Sequence, residues 1–133
     1  MIAGVADTHT ALWYLFDDHR LSGAAGAFID RAAAGRQKIA ISSISLAEVV
    51  YLVEKNRLPA PAYDELIEAL ADPDHVFTEA VLNAAIVRAM RSVSRSEVPE
   101  MPDRIIAATA TYFGVPVLSR DRRIRASSVK TIW

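Results

Sequence analysis

The sequence predicts an α/β protein: a three-layer α/β/α sandwich around a mostly parallel central sheet. Three observations predict it. Short apolar runs at residues 2–6, 38–42 and 115–119 have the small, β-branched character of strands buried on both faces. Longer segments with apolar residues at helical spacing separate them. Parallel strands joined by helices need right-handed crossovers, and these put helices on both faces of the sheet.

The first strand is Ile2-Ala3-Gly4-Val5-Ala6, and it ends on Asp7. Thr8-His9-Thr10 supplies hydroxyls and a helix start, and Leu12, Leu15 and Phe16 make an apolar stripe over residues 11–18. Leu21-Ser22 opens an Ala-rich helix that runs to about Ala34, with Gly35 as its stop. Lys38 to Ser42 is the second strand. Ser45 and Glu48 have the spacing of a capping box, which starts a helix from Leu46 to about Asn56. Pro59 and Pro61 interrupt the chain, and Tyr63 to Leu70 form another helix. His75 to Thr78 is a short third strand, followed by a helix from Ala80 to about Val93. Residues 94–102 are polar, contain Pro99 and Pro102, and form a loop. Asp103 to Phe113 is a helix closed by Gly114, Val115 to Ser119 the fourth strand, and residues 129–133 a fifth, edge strand.

A chain of 133 residues is one domain by length, spanning 1–133, with enough apolar residues (52%) to build a single core. No apolar stretch is long enough to cross a membrane, and the first residues lack a basic signal-peptide start. The absence of cysteine excludes disulfides, thiolate metal sites and thiol nucleophiles, and fits a cytoplasmic protein. The net charge of -1 excludes a whole-chain basic footprint for nucleic acid. Cations are concentrated locally, however: Arg120, Arg122, Arg123, Arg125 and Lys130 crowd the C-terminal end, where they could face phosphates or dock an acidic partner.

Four acids occupy comparable topological points. Asp7 follows the first strand and Asp121 the fourth. Glu48 lies in the first turn of the helix after the second strand, and Asp103 starts the helix that leads into the fourth. In a parallel sheet all four belong near the carboxyl edge, where such sheets keep their ligand crevices. Each also has an ordinary structural explanation: Asp7 and Asp121 as caps, Glu48 as the capping-box partner of Ser45, Asp103 as an acid favoured by a helix N-terminus. Gathering them is costly, because two charges about 4 Å apart repel by roughly 4 kcal/mol at an effective dielectric of about 20. A fold that does so protonates some or binds a cation. Hard oxygen donors without cysteine favour Mg²⁺ or Mn²⁺. Such an ion can activate a water and stabilise charge on phosphate oxygens. His9, His19 and His75 have no metal-ligand spacing, and there is no Gly-x-Ser-x-Gly elbow or Gly-rich phosphate loop.

With these residues in place, the chain resembles the PIN-domain ribonucleases, most closely the VapC toxins of bacterial VapBC toxin–antitoxin pairs. The resemblance rests on Val5-Ala6-Asp7-Thr8-His9, residues 42–49, residues 102–110 and Leu118-Ser119-Arg120-Asp121, in that order and spacing. It implies an α/β/α sandwich, Mg²⁺- or Mn²⁺-dependent hydrolysis of RNA, a homodimer, and inhibition by a cognate VapB-like antitoxin. It also implies that Asp7, Glu48 and Asp103 are the metal-binding acids, with Asp121 the fourth and more variable one. Thr8 matches the hydroxyl residue that supports the site, Glu100 a further acid before the helix, and Arg120 and Arg122 flank Asp121 as candidate contacts to substrate or antitoxin. The expected products carry 5′-phosphate and 3′-hydroxyl ends. The alternative is a PIN-like module that binds RNA or protein without cutting it.

Overall fold

The computed structural model describes residues 1–133. Five parallel strands form one sheet: β1 (Ile2–Ala6), β2 (Lys38–Ser42), β3 (Phe77–Ala80), β4 (Val117–Leu118) and β5 (Thr131–Ile132), in the spatial order β3-β2-β1-β4-β5. β1 is central. Val5 pairs with Ala40 of β2 on one side and Val117 of β4 on the other. The chain builds outward from β1 through β2 to β3, then returns to place β4 on β1's free side, so the topological switch point lies between β1 and β4.

Seven helices connect the strands: α1 (Thr8–Leu15), α2 (Gly23–Ala34), α3 (Ser43–Glu54), α4 (Pro61–Ala71), α5 (Ala84–Ala89), α6 (Met101–Phe113) and α7 (Arg122–Ala126). The pleat of the strands sorts the core into two layers. Ala6, Ile39, Ile41, Phe77 and Leu118 pack with Leu12 of α1, Ile29 of α2 and Leu66 of α4. Val5, Ala40, Ala80 and Val117 pack with Ile86 of α5, Ile106 and Ala110 of α6, and Ile124 of α7. Helices therefore cover both faces, as the sequence predicts. Gly4 is fixed by close approach, since a Cβ there would meet Leu118 Cδ1 at 2.8 Å and Phe28 Cε1 at 3.1 Å. Gly114 ends α6 in the left-handed conformation at φ 67°, which a residue with a Cβ adopts only with strain.

Four sequence expectations shift. Ser42, not the Ser45 of the expected capping box, caps α3 by accepting from Ile44 N. The helix therefore starts earlier and Glu48 falls in its second turn. β3 lies two residues later than expected, because Thr78, Glu79 and Ala80 pair with Ala40, Ile41 and Ser42 and this ladder outweighs local preference. That extension shortens the following helix to α5, capped by Asn83 and continued by a 3₁₀ turn, Met90–Ser92. α7 lies where the sequence predicts no helix; it is a short helix capped by Asp121.

Candidate active site

Asp7 is the N-cap of α1, immediately after the central strand. Its Oδ1 accepts from Thr10 N at 2.9 Å, and its other oxygen accepts from the hydroxyl of the buried Ser119. Ser119 Oγ in turn accepts from Asp121 N at 3.0 Å. Asp121 caps α7 through Oδ1, which accepts from Arg123 N at 2.9 Å and Ile124 N at 3.1 Å. One serine thus ties together the two acids that follow β1 and β4, across the switch point. The capping roles considered for Asp7 and Asp121 are real, and they coexist with a site. A carboxylate has about four acceptor positions, so capping leaves lone pairs for a ligand.

Glu48 is held from the other side. Thr8 Oγ1 lies 2.6 Å from Glu48 Oε1 and 2.9 Å from Ser45 Oγ. The single hydroxyl hydrogen serves one acceptor at a time, and an ionised carboxylate is the stronger one. Burial pushes the Glu48 carboxyl above its ordinary value and Asp7 adds to this, while the Thr8 bond and His9 hold it back. Asp103, in the first turn of α6, accepts no side-chain or backbone hydrogen bond. Burial pushes its carboxyl up to about 6, and the negative charges of Asp121, Glu48, Asp7 and Glu100 add to that shift, in that order. Asp103 therefore feels the other three acids as one field.

All four acids line one open cleft of about 280 Å³, with Thr8, His9 and Trp13 of α1 and Ile106 of α6. None of the four is in an ion pair; the two pairs in the chain, from His19 and Arg20, both go to Asp18. This concentration of uncompensated oxygen donors fits a hard divalent cation. The side chains are not already closed around one point, since no three of them form a ready-made cage. A partly hydrated ion needs no such cage.

Arg120 lines the cleft, with its guanidinium 4.6 Å from the centre of the Trp13 ring. Arg122 is exposed on α7 and is not part of the lining, and Glu100 is exposed at the start of α6. Arg20 carries no sequence signal; it reaches the cleft from the α1–α2 connection and lies 5.2 Å over the same Trp13 ring. Ser119, in the Leu118-Ser119-Arg120-Asp121 stretch, is a further site residue that the sequence expectations do not include. Its place at the end of the fourth strand, two residues before Asp121, is the available signal.

The PIN domain profile matches residues 5–129. Ribonuclease VapC22 of Mycobacterium tuberculosis is 31% identical over 128 residues, covering 95% of this chain and 92% of the relative. Among solved structures, VapBC2 from Rickettsia felis, bound to a DNA fragment from its promoter, superposes with a TM-score of 0.70 at 18% identity, covering 98% of this chain and 97% of that one. FitAcB from Neisseria gonorrhoeae gives a TM-score of 0.59 at 21% identity, with 98% and 96% covered. A toxin–antitoxin complex from Klebsiella pneumoniae gives 0.58 at 21% identity, with 93% and 92% covered.

Proposed function

The chain belongs to the PIN domain family, and from that premise we propose that it is a metal-dependent endoribonuclease, the toxin of a type II toxin–antitoxin pair. The observation that carries this reading is the set of four carboxylates, delivered by four different elements to one cleft at the switch point with no cation paired to them. The similarity to a ribonuclease supports RNA as the substrate. The likeness in fold to chains of toxin–antitoxin complexes supports a VapB-like antitoxin as the partner. The reading includes a single PIN domain over residues 1–133, a homodimer and a cytoplasmic location; no helix is long and apolar enough to cross a membrane.

In this reading Asp7, Glu48, Asp103 and Asp121 hold Mg²⁺ or Mn²⁺. Bound there, the ion supplies an activated water and stabilises charge on the phosphate oxygens. The rest of the work belongs to the chain. Ser119 and the Thr10 amide fix Asp7, and Thr8 fixes Glu48. Arg120 offers a guanidinium to a substrate phosphate beside the acids, steadied by the Trp13 face. Asp103 holds its proton up to about pH 6, so below that pH a bound cation would have to displace it.

The test is cleavage of total bacterial RNA by the purified chain in Mg²⁺ or Mn²⁺, beside Asp7→Asn and an EDTA control. Discrete fragments with 5′-phosphate and 3′-hydroxyl ends, from the wild type only and lost in EDTA, are expected. Cyclic-phosphate ends would refute the metal–water chemistry. Saturable metal binding with no cleavage of any RNA would leave the non-cutting binding module.

A further inference from the structure

A second, apolar groove of about 260 Å³ adjoins the acid cleft and shares His9, Trp13 and Arg20 with it. Its floor is the buried Leu12, and Leu58, Pro59 and Ala62 close its far side from the α3–α4 connection and α4. His9 and Phe16 stand seven residues apart along α1, on the same face, and both are exposed; Phe16 keeps 43% of its surface in solvent. Phe16 stacks on no other ring of the protein, whereas the His9 ring leans on Trp13 with centroids 5.7 Å apart. Trp13, by contrast, is already occupied: it is 6% exposed and packed by Arg20, Arg120, His9 and Trp133.

The shared wall has a fixed polar element. Arg20 donates through Nε and Nη2 to the two oxygens of Asp18, at 3.0 and 2.8 Å, and its own amide also bonds Asp18. A guanidinium held by two side-chain bonds has its orientation set before a ligand arrives, and it retains unused N–H donors.

From the continuity of the two cavities we propose that this groove is a nucleobase subsite. On the proposed nuclease reading, the scissile phosphate lies over the acids, with Arg120 beside it. The neighbouring nucleotide of a single-stranded RNA turns its base into the groove, against His9 and Phe16, with the Arg20 edge at the base's polar rim. Size favours this occupant. The groove falls just below the roughly 300–1,000 Å³ that takes drug-sized ligands, a size that suits one heterocycle. In the groove itself Arg20 is paired with Asp18, and the unpaired cation is Arg120 of the adjoining acid cleft, beside the position proposed for the phosphate. Unstacked RNA bases are recognised by stacking on aromatic rings and by hydrogen bonds to their edges, and the groove offers Phe16 and His9 for the first and Arg20 for the second. The groove therefore biases which nucleotide flanks the cut.

The test separates the subsite from the nuclease reading by using binding as well as cleavage. The four nucleoside 5′-monophosphates and ribose 5-phosphate are titrated into the full chain in Mg²⁺, following the methyl signals of Leu12 and Leu58 and the ring signals of Phe16 by NMR. Nucleotides should shift these signals with unequal affinities, and ribose 5-phosphate should leave them still. Phe16→Ala should weaken nucleotide binding about tenfold, as expected for losing one base–aromatic stack, and should flatten the base preference at the cut in a random-sequence RNA pool. Equal responses to nucleotides and ribose 5-phosphate, or no response at the groove, would overturn the subsite even if RNA is cut. Cleavage with an unchanged base preference in Phe16→Ala would do the same, as would groove signals that respond only to an added antitoxin peptide. Base-dependent shifts in a chain that cuts no RNA would uphold the subsite and remove the nuclease reading.

Discussion

Replacing Asp103 by asparagine should make the metal-free protein more stable at neutral pH, although it should abolish activity. The folded carboxyl holds its proton up to about pH 6, against an ordinary value of 3.8. The folded state thus binds this proton more tightly than the unfolded state does. Stability falls as pH rises from about 4 to about 6, and the full penalty persists above that window. At about 1.36 kcal/mol per pH unit the gross penalty is roughly 3 kcal/mol. Asp103 is only half-buried, so solvent screening reduces this to about 1.5 kcal/mol. Asparagine also forgoes the favourable interaction of an acid with the first turn of α6, about 0.5 kcal/mol. The net gain is about 1 kcal/mol, or about 4 °C in Tm for a chain of this length. Thermal and urea unfolding in EDTA, from pH 4 to 8, would measure it. The gain should vanish at pH 4, where both proteins lack the charge. Saturating Mg²⁺ should reverse the order at pH 8, because an ion that binds only the folded wild type stabilises it by mass action. A gain that does not vary with pH, or a variant less stable than wild type at pH 8 in EDTA, would refute the idea that Asp103 sits in an uncompensated acidic field.

The other predictions concern the supports of the site. Thr8→Val removes the hydroxyl that holds Glu48 down, so the acidic limb of the pH–rate profile should move to higher pH, and stability should fall by about 1–2 kcal/mol as buried groups lose a partner. An unchanged limb would count against a functional Thr8–Glu48 bond. Gly4→Ala places a Cβ against Leu118 and Phe28 beneath the central strand, and urea titration should show a loss of about 1–3 kcal/mol from overpacking. Arg120→Ala should raise the KM for RNA more than it lowers kcat and should flatten the salt dependence of binding, by a slope of about 1 if one phosphate contact is lost. Equal salt slopes for the two proteins would remove Arg120 from the phosphate path.

Much of this architecture follows from short-range pattern. The runs at Ile2–Ala6 and Lys38–Ser42 are strands because small and β-branched residues without charge suit a sheet covered on both faces. Gly114 stops α6 because its backbone tolerates the left-handed turn. The four acids were legible for a related reason. Strand ends and helix starts can be located from the sequence, and in a parallel sheet they share an edge. Partner choice is what the sequence alone did not determine. Ser42 instead of Ser45 caps α3 through the amide two residues on, a choice between two nearby hydroxyls, whereas β3 extends to Ala80 because its ladder is in register with β2, distant in the chain. Arg20 reaches the cleft only because Trp13 and Asp18 fold it there. Ser119 reaches Asp7 across 112 residues of sequence, and so ties it to Asp121, only because β4 is laid beside β1. The types of chemistry available were written in the local sequence. Which side chains share one field was decided by the order of strands in the sheet, because electrostatic coupling and hydrogen bonding depend on distance in space.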